Sequence, residues 1–191
     1  MNRRQVLEAV GTAATASLVG LAGCSDSNPG TGNGTSETNE GNETAADSET
    51  TATSTPTVQM VTASGAYYFD PIGLFVEPGT TVTWRIESGS HSSTAYKDGN
   101  GGAAVTRIPS GAAAWDSGIL GEQGATFEHT FETQGTYDYF CTPHKSLEMV
   151  GRLVVGEPGG PAEGSMPPDG EVPASQRIVD QKTVSYEAFS E

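Results

Sequence analysis

The segment "YDYFCTPHKSLEM", Tyr137 to Met149, places a thiol, an imidazole and a thioether on one short stretch: Cys141, His144 and Met149. A thiolate and a neutral imidazole bind borderline-soft and soft metals well, and a thioether adds a weak soft donor. Three donors do not close a site, so a fourth must arrive from a distant segment. The chain holds three histidines, which leaves His91 and His129. His91 stands in "ESGSHSSTAY", just past the end of an alternating apolar run, where a loop can meet the Cys141 loop at one pole of a sandwich. His129 falls in mid-strand, roughly across from Tyr139 in a hairpin and below the level of the loop. The expected ligand set is therefore His91, Cys141, His144 and Met149, with His129 a core or rim histidine bonded to a neighbour.

Other chemistries find little support. No Ser-His-Asp arrangement, phosphate-cradling glycine loop or paired-carboxylate motif is visible. Three histidines are too few for a multicopper oxidase, and a binuclear copper centre would need a second cysteine in the same loop. These counts argue against an enzyme. The formal net charge is −15, from 24 acidic and 9 basic residues. That disfavours nucleic acid as a partner, because phosphate binding needs clustered Lys and Arg. An acidic surplus also keeps a surface hydrated in strong salt, as in many halophilic proteins.

The donors must be positioned by strands. "LFVEPGTTVTWRIE" has Val82, Trp84 and Ile86 in alternation after a turn at Pro78-Gly79. "ATFEHTFETQGTYDYFC" sets Phe127, His129 and Phe131 on one face, then resumes with Tyr137, Tyr139 and Cys141 after a turn at Gln134-Gly135. "MVGRLVVG" adds a further strand. Short period-2 runs separated by Gly and Pro turns, with no long amphipathic helix, predict an all-β antiparallel sandwich over residues 58–156. The Gly-rich excursion from Ser88 to Gly118 includes "SGAAAW", read as a short helical turn. Residues 157–191 open with linker-like "EPGGPAEGSMPPDGEVPAS" and are expected to form a Pro/Gly-rich C-terminal tail, adding one strand or fraying.

Ahead of the sandwich, Arg3 and Arg4 precede a mildly apolar run from Val10 to Ala22. It is too short for a membrane-spanning helix, which needs roughly 20 apolar residues, and it fits an export signal over residues 1–23. The paired arginines resemble a twin-arginine signal, although the flanking residues match that pattern only in part. "Leu21-Ala22-Gly23-Cys24" resembles a lipobox, whose cysteine becomes the lipid-bearing first residue. Lipid attachment at Cys24 would leave Cys141 without a disulfide partner. Residues 24–57 are rich in Ser, Thr, Gly and Glu and, from Ser25, lack aromatic, branched aliphatic and basic side chains. Such a stretch predicts a disordered acidic tether, with sequons at Asn33 and Asn42. The expected location is the extracytoplasmic face of the cell membrane.

One thiolate, two imidazoles and a weak thioether form the donor set of a blue copper site. The spacing Cys-x2-His-x4-Met, with His91 upstream, resembles that of plastocyanin-class cupredoxins. With the lipobox, the acidic tether and the overall acidity, the chain is most similar to the halocyanins of haloarchaea. The resemblance covers about Gln59 to Gly156 and includes "VEPGTTVTW", "GTYDYFCTPH" with Pro143 in the Cys-x-Pro-His turn, and "MVGRLVV". Two positions depart from it. Ser92 stands where plastocyanins often have an Asn that bonds across to the cysteine loop, and His129 stands at a usually aliphatic position.

The resemblance implies a Greek-key sandwich holding one type 1 copper ion. It also implies single-electron transfer between protein redox partners, such as cytochromes or oxidase and reductase components, that dock at an apolar patch round the His144 edge with Pro143 and Leu147. Two other readings remain: a module that binds or delivers copper or zinc without redox traffic, and a structural cell-surface domain.

Overall fold

The computed structural model describes residues 55–191. The export signal, Cys24 and the sequons Asn33 and Asn42 lie outside the described residues. In chain order the strands are β1 (Thr57–Ala63), β2 (Ala66–Asp70), β3 (Gly73–Val76), β4 (Thr80–Ile86), β5 (Thr94–Ala95), β6 (Thr126–Phe131), β7 (Gly135–Phe140), β8 (Val150–Val155) and β9 (Thr183–Val184). Two 3-10 turns, Thr142–Leu147 and Pro161–Gly164, and two short helices, α1 (Ser175–Gln181) and α2 (Tyr186–Ser190), complete the set. One sheet runs β2-β1-β4-β6 and the other β5-β7-β8-β3-β9. The molecule is the expected β-sandwich.

Turn chemistry explains several joints. Ser64 and Gly65 both take positive φ (51° and 85°) and link β1 to β2 with Ala63 paired to Ala66, the two-residue geometry that suits strand twist. Gly79, at φ 85°, follows Pro78 into β4, and the Thr80 N–H donates to the Glu77 carbonyl at 3.2 Å. Alternation on β4 holds as read: Val82, Trp84 and Ile86 are fully buried. Trp84 is the hub of the core, with the rings of Trp115, Phe127, Phe131 and Tyr139 at centroid distances of 5.7, 6.0, 6.1 and 5.5 Å.

Three local expectations are corrected. The sheets are mixed, since β1 runs parallel to β4 and β3 parallel to β8; alternation marks the faces of a strand but not its direction. Strands β6 and β7 form no hairpin. β6 pairs with β4, so His129 lies opposite Val82 rather than Tyr139, and the chain crosses to the other sheet at Gly135, whose φ is 133°. Finally, "SGAAAW" forms no helix. Ser110 and Gly111 make a tight turn in which the Ala112 N–H donates to the Pro109 carbonyl at 3.1 Å, and the chain then passes beside β5, where the Ala95 N–H donates to the Trp115 carbonyl at 3.0 Å and the Ser117 N–H donates to the Ser93 carbonyl at 3.0 Å. That path lets Trp115 insert between Trp84 and Phe131, with its indole N–H donating to Ser93 Oγ at 2.9 Å.

Residues 157–191 fold back onto the sandwich. β9 pairs antiparallel with β3, and Ala162, Val172, Ile178 and Val184 are buried. Linker composition conceals this because few apolar residues are needed to cover one face of a sheet already built. As a result β7 and β8 are buried along their whole length, on both faces.

The outer face of β7 carries Asp138, fully buried between two arginines. Its Oδ2 accepts from Arg107 Nε at 2.7 Å and its Oδ1 from Arg152 Nε at 2.7 Å. One carboxylate cannot satisfy two guanidinium groups of five donors each. The extension supplies the rest: the Ala162 carbonyl accepts from Arg107 Nη2 at 2.9 Å and Arg152 Nη2 at 3.1 Å, and the Pro173 carbonyl from Arg152 Nη1 at 3.3 Å. Removing one partner of a buried ion pair strands the other charge. Asp138→Ala is therefore expected to cost about 3–5 kcal/mol in urea unfolding of the metal-free protein. A loss below about 1 kcal/mol, the worth of one ordinary hydrogen bond, would show that the carbonyls alone suffice.

Candidate metal centre

The site lies at one pole, where both sheets contribute. His91 follows β4 of one sheet and is fixed by reciprocal backbone bonds with Leu120, at 2.9 and 2.8 Å. Cys141 follows β7 of the other and caps the turn Thr142–Leu147, with Pro143 in its first turn. His144 leaves helical geometry (φ −116°, ψ 20°), and Glu148 takes left-handed φ 63°, which turns the chain back toward Met149. The Cys141 N–H donates to the Met149 carbonyl at 3.0 Å, the Met149 N–H to the His144 carbonyl at 3.3 Å and the His144 N–H to the Cys141 carbonyl at 3.1 Å. The loop is thereby tied shut on itself.

Three donor atoms converge. His91 Nδ1 and His144 Nδ1 are 3.2 Å apart, and Cys141 Sγ is 3.6 Å from the first and 3.3 Å from the second. His91 Nε2 lies 2.9 Å from the Ser88 carbonyl and 3.0 Å from Thr62 Oγ1. A carbonyl only accepts, so Nε2 carries the proton and Nδ1 presents a bare lone pair, the arrangement typical of ligating histidines. A point equidistant from the three atoms is roughly 2 Å from each, close to metal–imidazole and metal–thiolate bond lengths. The donors fit a small soft cation.

Burial sets the protonation states. The Cys141 thiol is pushed above its usual 9.0 by burial, partly offset by the N–H groups of Ser92 and His144. Burial holds His91 below its ordinary value, aided by the nearby His144 and opposed by the Ser88 bond, and burial also lowers His144. The imidazoles therefore stand neutral and ready to ligate, and the thiol must lose its proton to a metal. Met149 is fully buried in the same apolar cluster as Cys141.

Ser92 bridges the two loops. Its Oγ accepts the Thr142 N–H at 2.8 Å, and its own N–H donates to Cys141 Sγ at 3.3 Å. His129 takes no part in the centre; it is half-buried and stacks on Trp115 at 5.0 Å, 27° between planes. The sequence reading missed Tyr67, whose ring lies parallel to that of His144 (4.0 Å, 19°), together with Thr62 and Ser88. Tyr67 and Thr62 meet the site through the β1–β2 register, in which they pair, and no local motif signals that; Ser88 reaches it from three residues before His91.

The pattern for copper binding proteins of the plastocyanin/azurin family matches residues 56–156, which include His91, Cys141, His144 and Met149. The chain belongs to this family. Copper is the metal of the centre. Among relatives, the halocyanin of Natronomonas pharaonis is 37% identical over 101 residues, 51% of this chain and 55% of that protein. The match thus spans about half the halocyanin's length. Plastocyanin of Scenedesmus fuscus is 32% identical over 102 residues, covering 52% of this chain and 97% of that one. Among solved structures, pseudoazurin of Methylobacterium extorquens is 20% identical, with a TM-score of 0.48 over 66% of this chain and 95% of the other.

The protonation states make stability depend on pH. Burial also lowers His129. The unfolded chain takes up protons on His91, His129 and His144 near pH 6.5, and the folded chain only at lower pH. The unfolded state then binds more protons, so stability is lost as pH falls below about 6.5. Urea midpoints of the metal-free protein are expected to drop steadily on that acid side. A flat profile would contradict neutral buried imidazoles.

Proposed function

We propose that this protein carries single electrons between redox partners, with copper held by His91, Cys141, His144 and Met149. The observation that carries the reading is the convergence of two imidazole Nδ1 atoms and one thiol within 3.6 Å at a buried pole. When bound, copper supplies a centre that alternates between Cu(I) and Cu(II). The protein's part is to hold the donors still, so that little rearrangement accompanies each change of charge. The Ser92 bridge, the tied Cys141–Met149 loop and the fixed tautomer of His91 all serve that end. Fully buried His91, Cys141 and Met149 keep water away, while His144 remains partly exposed. A thioether buried in the same cluster as the cysteine favours copper over zinc.

Partners are proposed to dock at the His144 edge, where Pro143 is exposed and Leu147 is 52% exposed. Redox encounters of this kind bury little area, and strong salt would screen steering by the acidic surface to a few ångströms at about 1 M. Export by a twin-arginine type signal and lipid attachment at Cys24 complete the proposal, placing the domain at the outer membrane surface. Two features support it: the "LAGC" sequence, and the full burial of Cys141 within the centre, which removes it as a disulfide partner.

The test is the visible spectrum of residues 55–191 with Cu(II) and ferricyanide to keep the copper oxidised. An intense blue band that vanishes in Cys141→Ser is expected. A colourless protein that still binds metal would point instead to metal delivery.

A further inference from the structure

The family match ends at residue 156, yet residues beyond it complete a groove beside the metal centre. The groove has a volume of about 830 Å³. Tyr67 at the end of the β1–β2 hairpin forms one wall, Leu147 and Glu148 of the ligand turn form the second, and Glu171, Tyr186 and Phe189 of the C-terminal extension form the third. The third wall is fastened in place. The Tyr186 ring stacks on Tyr68 at 4.1 Å and 10°, and the Tyr186 N–H donates to the Asp70 carboxylate at 2.9 Å.

Two properties define what the groove takes. Its apolar lining includes three aromatic rings, Ile72 and Leu147, which is 52% exposed. Its charge comes from Glu148 and Glu171, and among the described residues neither Lys nor Arg lines it. The one cation of the ligand turn, Lys145, is engaged elsewhere: its Nζ lies 3.5 Å from Asp169 and 5.0 Å from the centre of the Phe140 ring. The groove also reaches the centre through a single ring contact, because Tyr67 stacks directly on His144.

We infer that this groove seats a basic segment of the redox partner, one that carries an aromatic or aliphatic side chain. The inference rests on the electron-carrier reading and names the chemistry of the partner. Apolar side chains fill the floor, and Lys or Arg meets Glu148 and Glu171. An aromatic ring seated there lies against Tyr67, one stack away from His144. The extension is then a specificity element, since the family segment alone lacks the third wall.

The experiment titrates the synthetic peptide Lys-Trp-Lys, with Glu-Trp-Glu as control, into the isotope-labelled full chain without copper. Backbone amide shifts are followed. The expected result is saturable shifts concentrated at Tyr67, Glu171, Tyr186 and Phe189 with Lys-Trp-Lys alone, and binding weakened about tenfold by Glu171→Lys, the equivalent of roughly 1.4 kcal/mol. Phe189→Ser should weaken it as well; Glu171→Lys, an exposed change, keeps the test open if Phe189→Ser fails to fold. Shifts confined to the Pro143–His144 edge, equal response to both peptides, or indifference to Glu171→Lys would overturn the groove. The copper-loaded chain and both variants are scored separately for the blue band. Its presence with no groove binding sinks only the groove, whereas groove binding without the band removes the redox partner and the electron-carrier reading together.

Discussion

Everything at the metal pole depends on one small residue that touches both halves of the site. Ser92 follows the ligand His91, its amide points at the sulfur of Cys141, and its hydroxyl holds the first peptide of the cysteine loop. Two loops from opposite sheets are thereby locked at a fixed separation. Its hydroxyl also meets Thr94 Oγ1 at 3.1 Å, which in turn meets Thr142 Oγ1 at 3.1 Å, so the bridge is a small buried network rather than a single bond. Buried hydroxyl networks stiffen their surroundings when fully satisfied. A metal whose charge alternates gains from such stiffness, because mobile ligands would follow each change.

The same logic governs the far side of β7. A strand between two sheets ordinarily has one apolar and one wetted face. Here the second face is covered by a segment of linker-like composition, which brings a few apolar side chains, Val172 and Ile178 among them, and carbonyl groups offered to two guanidinium groups. Polar satisfaction there works alongside apolar burial. That is why a Pro/Gly-rich stretch can be structural: its exposed backbone acceptors are the useful groups.

Much of the architecture was legible in the sequence. Val82, Trp84 and Ile86 announced a strand with one buried face, and Pro78-Gly79 announced its turn. Cys141, His144 and Met149 announced a soft-metal loop because their spacing is local. His91 was reachable by elimination and by its place after β4. What escaped depends on register and sheet assignment, which alternation does not encode. Tyr67 meets His144 only because β2 folds back on β1 at Ser64-Gly65. His129 faces Val82 and Trp115 only because the chain changes sheets at Gly135. Asp138 reads as a solvent-facing strand residue until the extension covers it.

The arrangement round Asp138 also constrains how such chains can diverge. Arg107, Asp138 and Arg152 all lie within the family segment, yet the carbonyls that complete their bonding come from residues 162, 165 and 173 beyond it. In a relative that stops near residue 156, the same two arginines would face water and the same aspartate would need no burial. The three charged positions and the extension therefore form one bonded unit. Across a set of related chains they should be gained and lost together.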